Sequence, residues 1–419
     1  MADVVVDVVV QIAGEDVACG RLWSHRPRGK ESATFAYLDE YLARRGAYEL
    51  DPALSLVAGR QQTPVGRAMF GAFTDCAPDR WGRRLILRGE RARARREGGP
   101  QRSFGEIDYL LGVRDDLRQG ALRLRDPETG AYMADETVDV PLLIDLPVLL
   151  SAAESLDRDE ADETALRTLL RGGSSLGGAR PKAHVLDKTG RVAIAKFPSA
   201  STDDWDVIRW EAVALQLARD AGVRVSNSAL HSVGGKPVLI VDRFDREGEQ
   251  RIGYVSAMTM IEAVDGDAGS YLEIAAVIEE RSPDAVADLR ELWRRVAYSV
   301  LVSNTDDHLR NHGFLRTSTG GWQLSPAFDL NPNPEPGPKH LHIALVDGDT
   351  AARIDTLMQL APYFRLNESD AIAILRAVTD ATSNWRRTAE RAGLSRAEIE
   401  QMQPAFEHDA ALAAETICA

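Results

Sequence analysis

Cysteine is nearly absent from this sequence: Cys19, Cys76 and Cys418 stand far apart. Neither a disulfide framework nor a cysteine-based metal site is therefore expected. Long apolar runs are missing too. The most apolar stretch, "VPLLIDLPVLLSAA", is too short to cross a bilayer and is broken by Asp145 and Pro147. The opening "MADVVVDVVVQ" carries Asp3 and Asp7 and no basic segment, so it reads as the edge of a sheet rather than a signal peptide. A soluble, cytoplasmic protein is expected. Positive charge is also short. A net charge of −14 argues against unaided binding of nucleic acid, whose phosphates require a basic face. The local exception, "RWGRRLILRGERARARR" from Arg80 to Arg96, reads as a solvated helix face more readily than as a contact for an acidic partner.

Lysine is scarcer still. Six lysines (30, 182, 188, 196, 236 and 339) stand against 44 arginines, so the chain uses arginine almost wherever it needs a cation. A lysine inside an apolar strand then calls for a reason, because a compact ammonium and a planar guanidinium do different work.

With 419 residues, 44% of them hydrophobic, the chain can form two or three domains with real cores. Residues 1–125 mix short strands ("DVVVDVVVQI", "EDVACGRLWS") with helical stretches ("ATFAYLDEYLARRG", "PDRWGRRLILRGERARARR"). The turn-rich segment "RDPETGAYMADETVD" marks a soft boundary, and helical patterns follow it. From Gly172, "GGSSLGGARPKAHVLDKTGRVAIAKFPS" reads as a glycine-rich turn, a strand, a "DKTG" turn and a second strand. "DVIRWEAVALQLARDAG" is a helix ended by Gly222, and "VRVSNSALHSVGGKPVLIVDRFDR" a hairpin turning at "VGGK". Beyond about residue 257 the chain is mainly helical, apart from the hairpin "GFLRTSTGGWQLSPAFD". "NPNPEPGP", Asn331 to Pro338, cannot be regular structure. The expected division is 1–125, 126–245 and 246–419.

The chemistry concentrates in "SNTDDHLRNHGF", Ser303 to Phe314. The helix before it, "LRELWRRVAYSVLV", places Leu289, Leu292, Trp293, Val296, Ala297, Val300 and Leu301 on one stripe. Asp306 and Asn311 are five residues apart, and Asp329 lies eighteen further on, after a hairpin that can return it to them. An aspartate, an asparagine and a second aspartate suit Mg²⁺, which takes oxygen ligands and shares them with phosphates. Phosphoryl transfer needs a carboxylate base and such ligands, and D-x-x-x-x-N is the spacing of a protein-kinase catalytic loop. The bland reading of the same residues is helix and turn capping. His308 reads as a structural hydrogen-bonder rather than a metal ligand, and is counted with the nucleotide-site residues.

Support comes from the rare lysine. In "RVAIAKF", alternation sets Val192, Ile194 and Lys196 on one face of a strand. An ammonium there needs a partner, and Glu211 on the next helix offers one, as in the kinase lysine–glutamate pair aimed at ATP phosphates. The glycine-rich "GGSSLGGARPK" lies directly before that strand pair, where backbone N–H groups at Gly177 and Gly178 can approach phosphates. "VLIVDRFDR" offers strand backbone at Asp242 to an adenine edge, with Phe244 beside it. Phosphate loop, strand lysine, helix glutamate, base, asparagine and metal aspartate follow in the order a kinase fold requires.

On "SSLGGARPKA", "IAKFPS", "WEAVALQLA", "VDRFDR", "NTDDHLRNHGFL" and "LSPAFDL" the sequence resembles the HipA family, kinase toxins of bacterial toxin–antitoxin pairs. The resemblance covers about residues 172–335 and, more loosely, the N-terminal region. It implies an α+β, two-lobed protein-kinase-like fold, a small antiparallel-sheet lobe plus a helical lobe, with an additional N-terminal α/β domain. It implies Asp306 as the catalytic base, Asn311 and Asp329 as Mg²⁺ ligands and Lys196 on the ATP phosphates. The phosphate loop would run from Leu176 through Gly177, Gly178, Ala179 and Arg180, with Lys182 following. Ser175, or its neighbour Ser174, takes the place of the family's autophosphorylated serine. The family phosphorylates protein serine or threonine, including an aminoacyl-tRNA synthetase, and is held by a small helix-turn-helix antitoxin that binds operator DNA. The doublet Asp306-Asp307 leaves two candidates for the base, and the five-residue spacing to Asn311 favours Asp306. Two other readings stand beside this one: a small-molecule kinase of the aminoglycoside or choline phosphotransferase type, and a nucleotide-binding scaffold or corepressor without transfer activity.

Overall fold

The computed structural model describes residues 4–134, 140–173, 178, 180–199, 201, 203–267, 269–346 and 348–419. The chain divides into two compact units, Met1–Thr202 with Arg243–Val255, and Asp203–Asp242 with Ser256–Ala419. The segment 126–245 contributes to both.

In the first unit, β1 (Val4–Ile12), β2 (Glu15–His25), β3 (Ser32–Tyr37), β4 (Gln61–Gln62) and β5 (Leu122–Arg125) form an antiparallel sheet in the order β4-β3-β2-β1-β5. The β1–β2 turn sits on Ala13 and Gly14, both at positive φ (51° and 85°), which matches the twist of a tight hairpin. The opening strand is not an edge. It lies between β2 and β5, and Val6, Val8, Val9 and Val10 are all buried, so valine on both faces marks an interior strand. "ATFAYLDEYLARRG" is also not one helix. Ser32–Tyr37 pairs with β2 as a strand, and only α1 (Asp39–Leu42) is helical. Alternating Thr34 and aromatic Phe35 and Tyr37 fit a pleated surface, and pairing decides the matter. Gly20 permits it, since a Cβ there would come within 2.2 Å of the Phe35 ring.

Helices α2 (Gly71–Asp75), α3 (Arg80–Glu97), α4 (Glu106–Leu111), α5 (Leu146–Asp157) and α6 (Glu163–Arg171) follow in this unit. The hairpin β6 (Lys182–Leu186) and β7 (Val192–Lys196) turns at "DKTG", where the Asp187 carboxylate accepts from the Thr189 and Arg191 N–H groups.

The second unit begins with α7 (Val207–Asp220), capped by Asp206 through the Arg209 N–H and closed by Gly222 at φ +78°. The hairpin β8 (Ser228–Val233) and β9 (Lys236–Asp242) turns on Gly234 and Gly235, both at positive φ. Helices α8 (Ala257–Met260), α9 (Tyr271–Arg281) and α10 (Ala285–Leu301) precede the hairpin β10 (Gly313–Arg316) and β11 (Trp322–Leu324). The tail supplies α11 (Ile354–Leu360), α12 (Glu368–Thr382), α13 (Trp385–Arg391), α14 (Arg396–Phe406) and α15 (Asp409–Cys418).

The seven residues of the α10 stripe are all buried, and so is much of the opposite face. The polar residues there are paired: Arg295 bonds Glu291 (2.8 Å) and the Ser325 carbonyl (2.6 Å), while Asp288 accepts from Ser282 and the Leu324 N–H. α10 is thus a central helix rather than a surface one. Trp385 stacks on Phe406 at 4.7 Å, with Trp210 of α7 against both. Among the described residues no helix is long and apolar enough to cross a membrane.

Candidate active site

α10 ends at Leu301, and the chain turns at Ser303, a fully buried residue in the left-handed region at φ +51°. From there the polar loop unfolds its residues in opposite directions. Asp306 is exposed, and its carboxylate carries no hydrogen bond or ion pair among the described residues. Asp307 is buried. It accepts from the Tyr271 hydroxyl at 2.6 Å and the Ser299 hydroxyl at 3.3 Å, and His312 Nε2 stands 3.1 Å from its other oxygen. Burial works against the charge of Asp307, but the His312 imidazole and these hydrogen bonds outweigh it and hold the carboxyl below its usual range. Burial and the neighbouring Asp307 charge push the Tyr271 phenol well above its own. The two aspartates are therefore sorted by environment: one ties α9 and α10 to the loop, the other faces outward.

Asn311 is also buried, and its Nδ2 donates to the Asp306 carbonyl at 3.2 Å. That bond orients the amide and leaves Oδ1 as an acceptor on the same loop. The hairpin β10–β11 intervenes as the spacing suggests, with Phe314 opposite Leu324. Asp329 follows at φ +58°. Two non-glycine residues in the left-handed region, Ser303 and Asp329, is the kind of local strain that collects at functional sites. On one side of Asp329, the Ala327 N–H donates to the Arg224 carbonyl at 2.7 Å. On the other side the segment is laced to the loop. The Asn331 N–H donates to Asn304 Oδ1 (3.1 Å), the Asn333 N–H to the Ser303 carbonyl (3.1 Å), and Asn333 Nδ2 to the Thr305 hydroxyl (2.9 Å). Asn331 Nδ2 in turn donates to Asp329 Oδ1 at 3.1 Å. The chain after Asp329 thus runs along the chain before Asp306.

His308 opens the short turn Leu309–Asn311, and its ring meets that of His342 edge-on with centroids 6.0 Å apart. Asn304, Asn331 and Asn333 escaped the reading of the sequence, although "NPNP" held the signal. Proline has no N–H to give, so alternating asparagines are the donors left to tie such a segment down. Among the described residues no three His, Cys, Asp or Glu side chains gather as a metal cage. Asn311 carries an amide oxygen and Asp329 a carboxylate, donor types that Mg²⁺ takes alongside waters and phosphate oxygens. Glu211 is buried on α7, and Asp242 ends β9, accepting from Asn227 Nδ2 at 3.3 Å.

The remaining residues of the reading belong to the first unit. Lys196 ends β7. Its face, with Val192 and Ile194, is the half-buried one, whereas Ala193, Ala195 and Phe197 fill the core. Lys182 stands directly opposite Lys196 in the hairpin register, and its ammonium is buried against Asp79 at 2.7 Å. Gly178 adopts φ +118°, a conformation that favours glycine. Arg180 is half-buried, and Phe244 packs against Tyr254 with ring centroids 6.0 Å apart. Ser174, Ser175, Leu176, Gly177 and Ala179 lie outside the described residues.

A family model described as the HipA-like C-terminal domain matches residues 174–386. A Haemophilus influenzae protein named "Putative kinase" is 28% identical over 143 residues, which is 30% of this chain and 42% of that one. The chain thus matches less than half the length of this curated relative. Among solved structures, HipA of Shewanella oneidensis MR-1, in complex with HipB and its operator DNA, is similar at a TM-score of 0.65 and 17% identity. The likeness covers 99% of this chain and 96% of that one and is one of fold. The Helicobacter pylori proinflammatory kinase CtkA is similar at a TM-score of 0.45 and 15% identity, over 57% of this chain and 94% of that one.

Proposed function

We propose, for a chain that belongs to the family of the HipA-like C-terminal domain, a Mg²⁺- and ATP-dependent kinase that phosphorylates a serine or threonine hydroxyl of a protein. The observation that carries the reading is the sorting of Asp306 from Asp307. A kinase loop needs one outward carboxylate to meet a hydroxyl and a rigid frame to hold it, and this loop has both.

In this reading Asp306 accepts the proton of the attacking hydroxyl as its oxygen bonds the γ-phosphorus and the bond to the ADP oxygen breaks. Asn311 and Asp329 would hold Mg²⁺, which when bound offsets the charge of the phosphate oxygens. Lys196 and the glycine-rich segment up to Arg180 would cradle the phosphates, with Glu211 the candidate partner of that lysine. Asp242 and Phe244 would line the adenine, with His308 beside the nucleotide. Ser175 or Ser174 is the candidate for self-phosphorylation. A small helix-turn-helix antitoxin that binds operator DNA is the candidate partner, and the cytoplasm the expected compartment.

The test is transfer of label from γ-labelled ATP with Mg²⁺ into the purified chain, wild type beside Asp306→Ala, with the modified residue located by mass spectrometry. Label on Ser174 or Ser175 that disappears in the variant is expected. Tight ATP binding without transfer to the chain or to any protein or small-molecule acceptor would overturn the kinase reading in favour of a scaffold.

A further inference from the structure

Asp79 lies in "CAPDRW", far from every motif that suggests phosphotransfer. It caps α3, its Oδ1 accepting from the Gly82 N–H at 2.6 Å. Its other carboxylate oxygen leaves the helix and holds the Lys182 ammonium at 2.7 Å, 103 residues away in sequence. Both side chains are more than nine-tenths buried. Two residues further along the helix, Trp81 Nε1 donates to the Lys182 carbonyl at 3.0 Å. The start of α3 therefore grips both the backbone and the side chain of Lys182.

Lys182 is where the glycine-rich stretch ends and β6 begins. Two features of its surroundings go beyond a stabilising ion pair. First, its register partner on β7 is Lys196. Like charges directly opposite in an antiparallel pair are unfavourable, yet here two of the chain's six lysines face each other. Second, Gly178 of the glycine-rich stretch stands so close that a Cβ on it would lie 2.8 Å from the Lys182 ammonium. The ammonium is packed between the loop backbone and Asp79. A buried ion pair is a poor route to stability in itself, because well-packed apolar residues often serve as well. What it provides is a fixed place for a charge.

We infer that Asp79 is a positioning residue for the phosphate end of the nucleotide site. It fixes Lys182 against Gly178, so that this ammonium and the Gly178 backbone, across the hairpin from Lys196, are set in place before a polyphosphate arrives. This makes the N-terminal region part of the nucleotide site, and it rests on the kinase reading above. Preorganisation of this kind acts on affinity by removing the cost of ordering a loop and a flexible side chain on binding.

Asp79→Asn isolates the effect, because asparagine caps a helix as well as aspartate does and loses only the charge. The measurement is calorimetric affinity of the full chain for ATP and for adenosine, with the melting temperature recorded alongside. ATP affinity is expected to fall about tenfold in Asp79→Asn, with adenosine affinity unchanged and part of the loss recovered in Asp79→Glu. The double variant Asp79→Asn/Lys182→Met removes both charges at similar volume, guards against a folding defect, and is expected to show the same phosphate-selective loss. ATP affinity equal to wild type in both variants, or equal losses for ATP and adenosine, would overturn the inference and leave the kinase reading intact. A folded wild type that binds no ATP would overturn both.

Discussion

At the scale of the residue, the decisive contrast is between two adjacent aspartates of identical chemistry. Asp306 is exposed, so replacing it should hardly touch stability. Asp306→Asn is expected to leave the melting temperature near wild type, since exposed substitutions stay within about 0.5 kcal/mol, while phosphate transfer falls by roughly 10²–10⁴-fold. Asp307 is bonded to Tyr271 and Ser299 and lies beside His312. Asp307→Asn is expected to cost about 1.5–3 kcal/mol in chemical denaturation, because charged hydrogen bonds to buried groups are lost. If Asp307→Asn proved as stable as wild type but inactive, and Asp306→Asn transferred phosphate normally, the two roles would be exchanged. Sequence spacing favours Asp306 as the base but says nothing of burial, which separates the two aspartates and is set by α9 and α10, whose Tyr271 and Ser299 carry no local sign that they meet this loop.

At the scale of the element, periodicity was a sound guide where one face dominates and a poor one where partners decide. The tail helices, α7, α10 and the three hairpins follow from pattern and turn residues. The strand Ser32–Tyr37 does not, because its pairing with β2 overrides a helical-looking stretch. In "VDRFDR" the sequence singles out Asp242 and Phe244 and gives no place to the charged residues beside them, a type that ordinarily faces solvent. Arg243 and Asp245 are instead buried and paired at 2.6 Å, and the Arg243 guanidinium also bonds the Leu117 carbonyl at 2.7 Å. No local pattern announces a partner more than 120 residues earlier. The same guanidinium reaches β6, where His184 Nε2 lies 3.1 Å away and Nδ1 lies 2.8 Å from the Gly172 carbonyl. A carbonyl only accepts and a guanidinium only donates, so Nδ1 carries the proton, Nε2 accepts from Arg243 and the ring is neutral. Burial, reinforced by the Arg243 charge, pushes this imidazole down to about 3. In the unfolded chain it titrates near 6.5, so below that pH the unfolded state takes a proton that the folded state refuses. Stability from this residue is complete above about 6.5 and is lost as pH falls toward 3. Between pH 7.5 and 5, wild type is expected to lose roughly 2 kcal/mol more than His184→Asn in urea unfolding. Parallel losses in the two proteins would show that β6 does not carry this titration.

At the scale of the whole molecule, charge decides what the chain can do alone. Its 64 acidic residues exceed its 50 basic ones, and the one strongly basic element, α3, is largely occupied at home. Arg83 pairs with Glu106, Arg84 and Arg88 with Asp159, Arg93 with Glu90 and Glu97, and Arg96 with Glu163. The sequence favours a solvated face for this helix over a contact for an acidic partner, and the pairing of its arginines with this chain's own carboxylates leaves few of them for such a partner. Most of these guanidiniums would have to leave a carboxylate before they could meet a phosphate. Nonspecific binding to duplex DNA comes almost entirely from phosphate neutralisation, with a slope of affinity against salt set by the number of contacts. The purified chain is therefore expected to show no change in fluorescence anisotropy of a labelled 30-base-pair duplex at about 0.1 M salt, a concentration at which basic proteins still bind. If the proposed helix-turn-helix partner holds this chain, adding that partner should bring the chain to DNA with the salt slope of the partner alone. A steep salt-dependent isotherm from the chain by itself would mean that α3 releases its acidic neighbours, and the solvated-face reading of that helix would fall with it.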